Sequence, residues 1–176
     1  GSEMCIRDSN YFTSKDSDTS YNESSATKIK LSGSSADVSG DGAALSGSTV
    51  TISKAGTYVI SGQSDGVQIK VDAGESDDVH IVLDGATMTN TNAAINATKA
   101  GHVYLTLKDG TTNTLSDSSS NSDEDADAVI FSKGDLTING SGTLNIDAKK
   151  NNGIKANDSL HITGGTYKIC LLYTSD

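Results

Sequence analysis

The residues with the most chemistry to offer in this chain are its aspartates and a few of its lysines. Asp123, Asp125 and Asp127 fall at alternate positions at the end of an acidic run, Ser116 to Asp127 (SDSSSNSDEDAD). Hard cations take carboxylate oxygens presented by one turn, so this spacing resembles the first ligands of a calcium loop. Counted from Asp123, however, the sixth position is Ala128 rather than Gly and the twelfth is Gly134 rather than Glu, which excludes an EF-hand. A generic oxygen-ligand calcium site and a solvated acidic loop both stay open. A second metal candidate comes from stacking, because Asp135 and Asp158 each stand shortly before matching apolar residues, Leu136 and Leu160. Carboxylates held side by side repel unless a cation neutralises them, although separately solvated Asn and Asp turns account for the same pattern. Asn92, Asp127 and Asn151 form a comparable turn column.

Among the cations, Lys149, Lys150 and Lys155 make a small basic spot around Asn151 and Asn152 that could meet the carboxylates of an acidic sugar. In a lyase, Lys133 or Lys155 could act as the base that removes the proton α to a uronate. Tyr104 and Tyr58 are the aromatic rings best placed to stack on a sugar, while Tyr167 and Phe131 fit the core equally well. No spacing of Ser, His and Asp suggests a nucleophile triad.

These side chains need short strands to position them. Val79, Val103, Leu136 and Leu160 open segments of similar pattern at separations of 24, 33 and 24 residues. A second strand position recurs at Thr87-Met88, Thr114-Leu115, Thr143 to Ile146 and Thr166 to Ile169, and a third at Val67, Ile95, Ile130 and Ile154. A fixed period in this range marks stacked repeats that cannot bury their apolar faces singly. The expected fold is all-β, a right-handed single-stranded parallel β-helix with about 24 residues per coil and a triangular cross-section, truncated at the C-terminus. Strand alternation then points His80, Tyr104, Thr137 and His161 outward in one column, with His102 in a turn, so the three histidines read as surface residues. The 33-residue interval contains the acidic run, which reads as an insertion at 116–127.

Composition agrees with a narrow core. The 176 residues include 18 Gly, no Pro and no Trp, with 5% aromatic residues. A net charge of -10 disfavours nucleic acid, whose phosphates need clustered basic residues. No apolar run approaches the roughly 20 residues of a membrane span, so no membrane insertion is expected in this stretch.

Both ends call for separate treatment. Gly1 to Ser9 (GSEMCIRDS) back-translates onto the end of a common transposase sequencing adapter, and Cys170 to Asp176 (CLLYTSD) onto its reverse complement. Residues 1–9 and 170–176 are accordingly expected to be adapter read-through, and Cys5 and Cys170 carry no disulfide or metal argument. Setting aside Glu3, Arg7, Asp8 and Asp176 takes the basic count from 13 to 12, the acidic count from 23 to 20 and the net from -10 to -8. The remainder divides into a polar linker or lead-in at 10–27, an N-terminal β cap at 28–65 and the repeats at 66–169. If residues 1–9 are read-through, the start is expected to be missing, and the absence of a signal peptide says nothing about secretion.

Several segments carry a resemblance: Tyr11 to Asp16 (YFTSKD), Tyr21 to Ile29 (YNESSATKI), Ala55 to Gly62 (AGTYVISG), Asp109 to Leu115 (DGTTNTL), Ala128 to Gly142 (AVIFSKGDLTINGSG) and Asn152 to Ile154 (NGI). Together they resemble the bacterial carbohydrate-binding domain-containing protein family. That family is similar in fold to family 9 pectate lyases, which are secreted right-handed β-helices that bind calcium and attach to cellulose and acidic pectic polymers. The resemblance implies a polysaccharide-binding module, secreted or attached to the cell surface, with calcium as cofactor and Asp-rich turns as its ligands, and a monomer is expected. An acidic glycan such as polygalacturonate is the expected target. A pectate-lyase-like β-eliminase and a structural or adhesive solenoid are the alternatives.

Overall fold

The computed structural model describes residues 14–118, 120–121, 125–149 and 152–171. A short 3-10 helix, Ser14–Ser17, precedes sixteen strands among the described residues. The first eight are β1 (Thr27–Gly33), β2 (Ser35–Ser39), β3 (Ala43–Ser46), β4 (Thr49–Ile52), β5 (Gly56–Asp65), β6 (Gln68–Asp72), β7 (Asp78–Thr89) and β8 (Ile95–Lys99). The remainder are β9 (His102–Leu107), β10 (Thr112–Ser116), β11 (Ala128–Ser132), β12 (Asp135–Gly140), β13 (Thr143–Ala148), β14 (Asn152–Ala156), β15 (Leu160–Ile162) and β16 (Thr166–Leu171).

The strands form two mixed sheets. A ten-stranded sheet runs β15-β12-β9-β7-β10-β13-β16, with β5, β1 and β2 joined to it through β7. A six-stranded sheet runs β14-β11-β8-β6-β4-β3. Pairing is parallel except for the antiparallel pairs β1 with β2 and β3 with β4. This corrects the expected single-stranded parallel β-helix of uniform coils and triangular section. The physical reason lies in β7, whose first half pairs with β9 while its second half pairs with β10. Two strand positions expected on separate faces therefore belong to one sheet.

The register itself follows the apolar pattern. Val79 pairs with Val103, Val103 with Leu136, and Leu136 with Leu160. In the small sheet Ile95, Ile130 and Ile154 are aligned, but β6 contributes Ile69 where Val67 was expected. Parallel pairing puts like residues over like, so these aliphatics stack in one continuous core that also contains Ile81, Leu83, Leu105, Ile138 and Ile146. Gly140 marks a corner: its φ is 96°, and a β-carbon there would collide with the Leu107 carbonyl oxygen. Only glycine meets both demands.

No helix among the described residues is long and apolar enough to cross a membrane.

Candidate functional site

Inward aliphatics leave two outer faces, and they are finished differently. On the large sheet the outward residues are polar: His80 pairs with Tyr104, Tyr104 with Thr137 and Thr137 with His161, while Thr106 pairs with Asn139 in the next column. The lead-in segment lies across them. Asp16 is 1% exposed, and Thr137 and Asn139 are fully buried beneath it. Thr137 Oγ1 donates to Asp16 Oδ1 at 2.7 Å, and His161 Nδ1 donates to Asp16 Oδ2 at 3.1 Å. Asn139 Nδ2 donates to the carbonyls of Asp16 and Asp18, each at 3.1 Å, and Thr163 Oγ1 donates to the Asp16 carbonyl.

Behind these bonds stand two relays. The Thr137 hydroxyl gives its hydrogen to Asp16, so it accepts from His102 Nε2 at 2.7 Å. Thr106 likewise donates to Asn139 Oδ1 at 2.5 Å and accepts from His80 Nε2 at 2.6 Å. Both imidazoles thus carry their proton on Nε2. Burial pushes His80 and His102 below the ordinary histidine value of 6.5, outweighing the opposing pull of Asp18 on His80 and of Asp135, Asp16 and Asp78 on His102. The expectation of surface histidines is corrected here, because His161 is 8% exposed and the others are half-buried under the lead-in segment. Tyr104, offered for stacking, is 9% exposed, and its ring already stacks on His102 with centroids 4.0 Å apart.

The outer face of the small sheet is covered only in part by the described residues. One residue past the aligned isoleucines, Lys70, Asn96, Phe131 and Lys155 pair in register across β6, β8, β11 and β14. Over the middle of this row lies a cleft of about 370 Å³ lined by Asn96, Thr98, Asp125, Phe131, Lys133 and Asn157, with Ala126 at its edge. Asn96 is 8% exposed, and its amide oxygen has no hydrogen-bond partner. Phe131 is 4% exposed and packs with Ala93, Ala126 and Ala128, which fixes the end of the acidic run onto the sheet. The run is anchored at its other end by the buried Asp117, which accepts from the Lys149 amide and from Asn121 Nδ2.

The predicted site residues divide accordingly. Lys133 and Asp125 meet at the cleft. Lys155 Nζ donates to Asp127 Oδ1 at 2.8 Å and Lys149 Nζ to Asp147 Oδ2 at 2.5 Å, so these two ammonium groups are already held by carboxylates. Lys150, Asp123 and Asn151 lie outside the described residues. Asp135 accepts from Ser159 Oγ at 2.6 Å, while Asp158 is exposed. Among the described residues no three His, Cys, Asp or Glu side chains converge to hold a metal ion. Asp125 and Asp127 alone fall well short of the six to eight oxygens calcium takes. Asn96, Asn139, Asp16 and Thr106 were not singled out from sequence. The row containing Asn96 was within reach, one position beyond the aligned Ile95, Ile130 and Ile154.

Comparison with known proteins decides the family. The profile of the carbohydrate-binding domain-containing protein family matches residues 46–171. The chain belongs to this family. A carbohydrate-binding domain-containing protein of Acetivibrio thermocellus is 39% identical to it over 135 residues, spanning 73% of this chain and 47% of that protein. The chain thus spans about half the length of that relative. Among solved structures, a polysaccharide lyase-like protein from C. thermocellum, studied as a gadolinium derivative, superposes with a TM-score of 0.71 at 29% identity. The superposition covers 86% of this chain and 75% of that one. Membership of the carbohydrate-binding domain-containing family supports a carbohydrate-binding role.

Proposed function

We propose that this family member binds acidic plant polysaccharide such as polygalacturonate, with cellulose as a further target, through the cleft on the small sheet. It does so outside the cell, secreted or surface-attached, with calcium assisting. The observation that carries this reading is the Asn96 amide, nine-tenths buried beside Lys133 with its oxygen unpartnered. A buried amide acceptor left unmatched costs about 1–3 kcal/mol, a cost that a sugar hydroxyl donating to it would recover. Lys133 makes no ion pair with a described residue, which leaves its ammonium for a uronate carboxylate. Thr98 and Asn157 serve the sugar hydroxyls, with Phe131 as the apolar floor.

Calcium answers the charge problem, since a chain of net charge -10 repels a polyanion. Asp125 and Asp127 would hold it in part, with glycan carboxylate and water completing the shell. Electrophoresis through gels containing polygalacturonate tests the reading. Retardation is expected, weakened by a chelator and by Lys133→Ala. Unretarded migration with and without calcium sinks it, and growing ultraviolet absorbance from unsaturated product would replace binding with elimination.

A further inference from the structure

On the large sheet, hydrogen-bond donors from separate strands converge on one carboxylate, and the chain itself supplies that carboxylate. Thr137 on β12 and His161 on β15 hold the two oxygens of Asp16, while Asn139 and Thr163 hold the carbonyl beside it. We propose that this donor set is a second binding site, selective for the carboxylate of an acidic sugar, in which Asp16 is the resident occupant and the lead-in segment an internal competitor. The proposal rests on the reading that the protein binds acidic polysaccharide, but it concerns a different face.

Three observations support it. First, the donors are aimed from behind. His102 donates into the Thr137 oxygen and Thr106 donates into the Asn139 oxygen, so the Thr137 hydroxyl hydrogen and the Asn139 amino group are turned outward toward the carboxylate. Preorganised donors of this kind favour an anion because little reorganisation accompanies its arrival. Second, the occupant is suited to exchange. From Asp16 to Ser25 the segment has no aliphatic residue, and Ser17 to Ser20 are exposed. Replacing one carboxylate by another keeps the hydrogen-bond count on both sides. Third, the same face has an opening. A cleft of about 240 Å³ between the segment and the sheet is lined by Asp18, Ser20, Thr57, Asp78, His80 and Tyr104, two of which share the column of Thr137 and His161. Tyr104 of this cleft pairs in register with Thr137, the residue that donates to Asp16.

Isothermal titration of the full chain with an oligogalacturonate, and with a neutral cello-oligosaccharide as control, tests this. Emptying the site by Asp16→Ala should raise oligogalacturonate affinity about tenfold, as expected when a competing conformer is removed. The neutral sugar should show no such gain, and adding Thr137→Val should abolish it. An Asp16→Ala chain of native circular dichroism that binds no tighter than the parent overturns the proposal. If that variant does not fold, hydrogen exchange of the parent decides: exchange at residues 14–20 must rise when oligogalacturonate is added, and unchanged exchange rejects the proposal. Lys133→Ala, made in both backgrounds, separates the two sites. Loss of parental binding with no gain from Asp16→Ala defeats only the inference, whereas a gain that survives Lys133→Ala, with parental binding unaltered by it, defeats only the cleft.

Discussion

The two sheets share one core and one repeat, yet their outer faces treat buried polar groups in opposite ways. On the large sheet Thr106, Thr137, Asn139 and His161 are buried, and each is hydrogen-bonded. On the small sheet Asn96 is buried to a similar degree with its oxygen unmatched beside an open cleft. Burial alone therefore does not tell a structural polar residue from one awaiting a ligand. Satisfaction separates these two faces, and the cleft gives it meaning: Ser64 Oγ and Asn92 Oδ1 are unmatched as well, but only the Asn96 oxygen stands at the cleft, where a ligand can reach it.

The comparison is most easily broken with two asparagines. Asn139→Ala should destabilise the chain by about 3 kcal/mol in urea unfolding, since it removes at once the acceptor of the Thr106 hydroxyl hydrogen and a donor to each of two lead-in carbonyls. A loss as small as that of a surface substitution would mean the covered face contributes little.

Acidification probes the same face more gently. The unfolded histidines take up protons near 6.5, whereas burial holds His80 and His102 below that value, so the unfolded state binds more protons as pH falls. Stability is accordingly full above 6.5 and declines below it, by at most about 1.4 kcal/mol per pH unit for each histidine. The groups facing His80 are Asp18, Thr106 and Tyr21, and those facing His102 are Asp16, Asp78, Asp135, Thr137, Tyr104 and His161. His102→Gln should flatten part of the slope in urea midpoints measured across this range. Stability that is constant or greater in acid would show that these rings are not buried neutral.

Asn96→Ala should shift the urea midpoint by less than about 1 kcal/mol, because removing an unmet acceptor offsets the lost packing. Its glycan retardation should nonetheless fall. Lys133→Ala is expected to have the smallest effect on folding, within about 0.5 kcal/mol, again with weaker retardation. Either variant unfolding as readily as Asn139→Ala would erase the distinction between the faces.

The parts of the fold legible in the sequence are those written as repetition. Parallel strands place like on like, so Val79, Val103, Leu136 and Leu160 announce their own partners, as do Ile95, Ile130 and Ile154. How the strands group into sheets was not legible, since nothing in the apolar pattern says that β7 continues through Asp84 and Gly85 to serve two neighbours. Val67 and Ile69 both fit the spacing, and pairing with β8 selects the second. In the cleft, Lys133 and Asp125 were readable as chemistry, but Asn96 gained its meaning only from what failed to reach it. The cover on the large sheet was least visible of all. It depends on single polar bonds between residues some 120 to 147 positions apart, which leave no periodic trace.

That long reach also fixes an order of events. Synthesis delivers Asp16 long before Thr137, Asn139, His161 and Thr163, the residues that receive it. Loop closure over such a distance must wait until both ends exist and the sheet between them has formed. Among the described residues, the stretch that leaves the ribosome first is thus among the last to find its place.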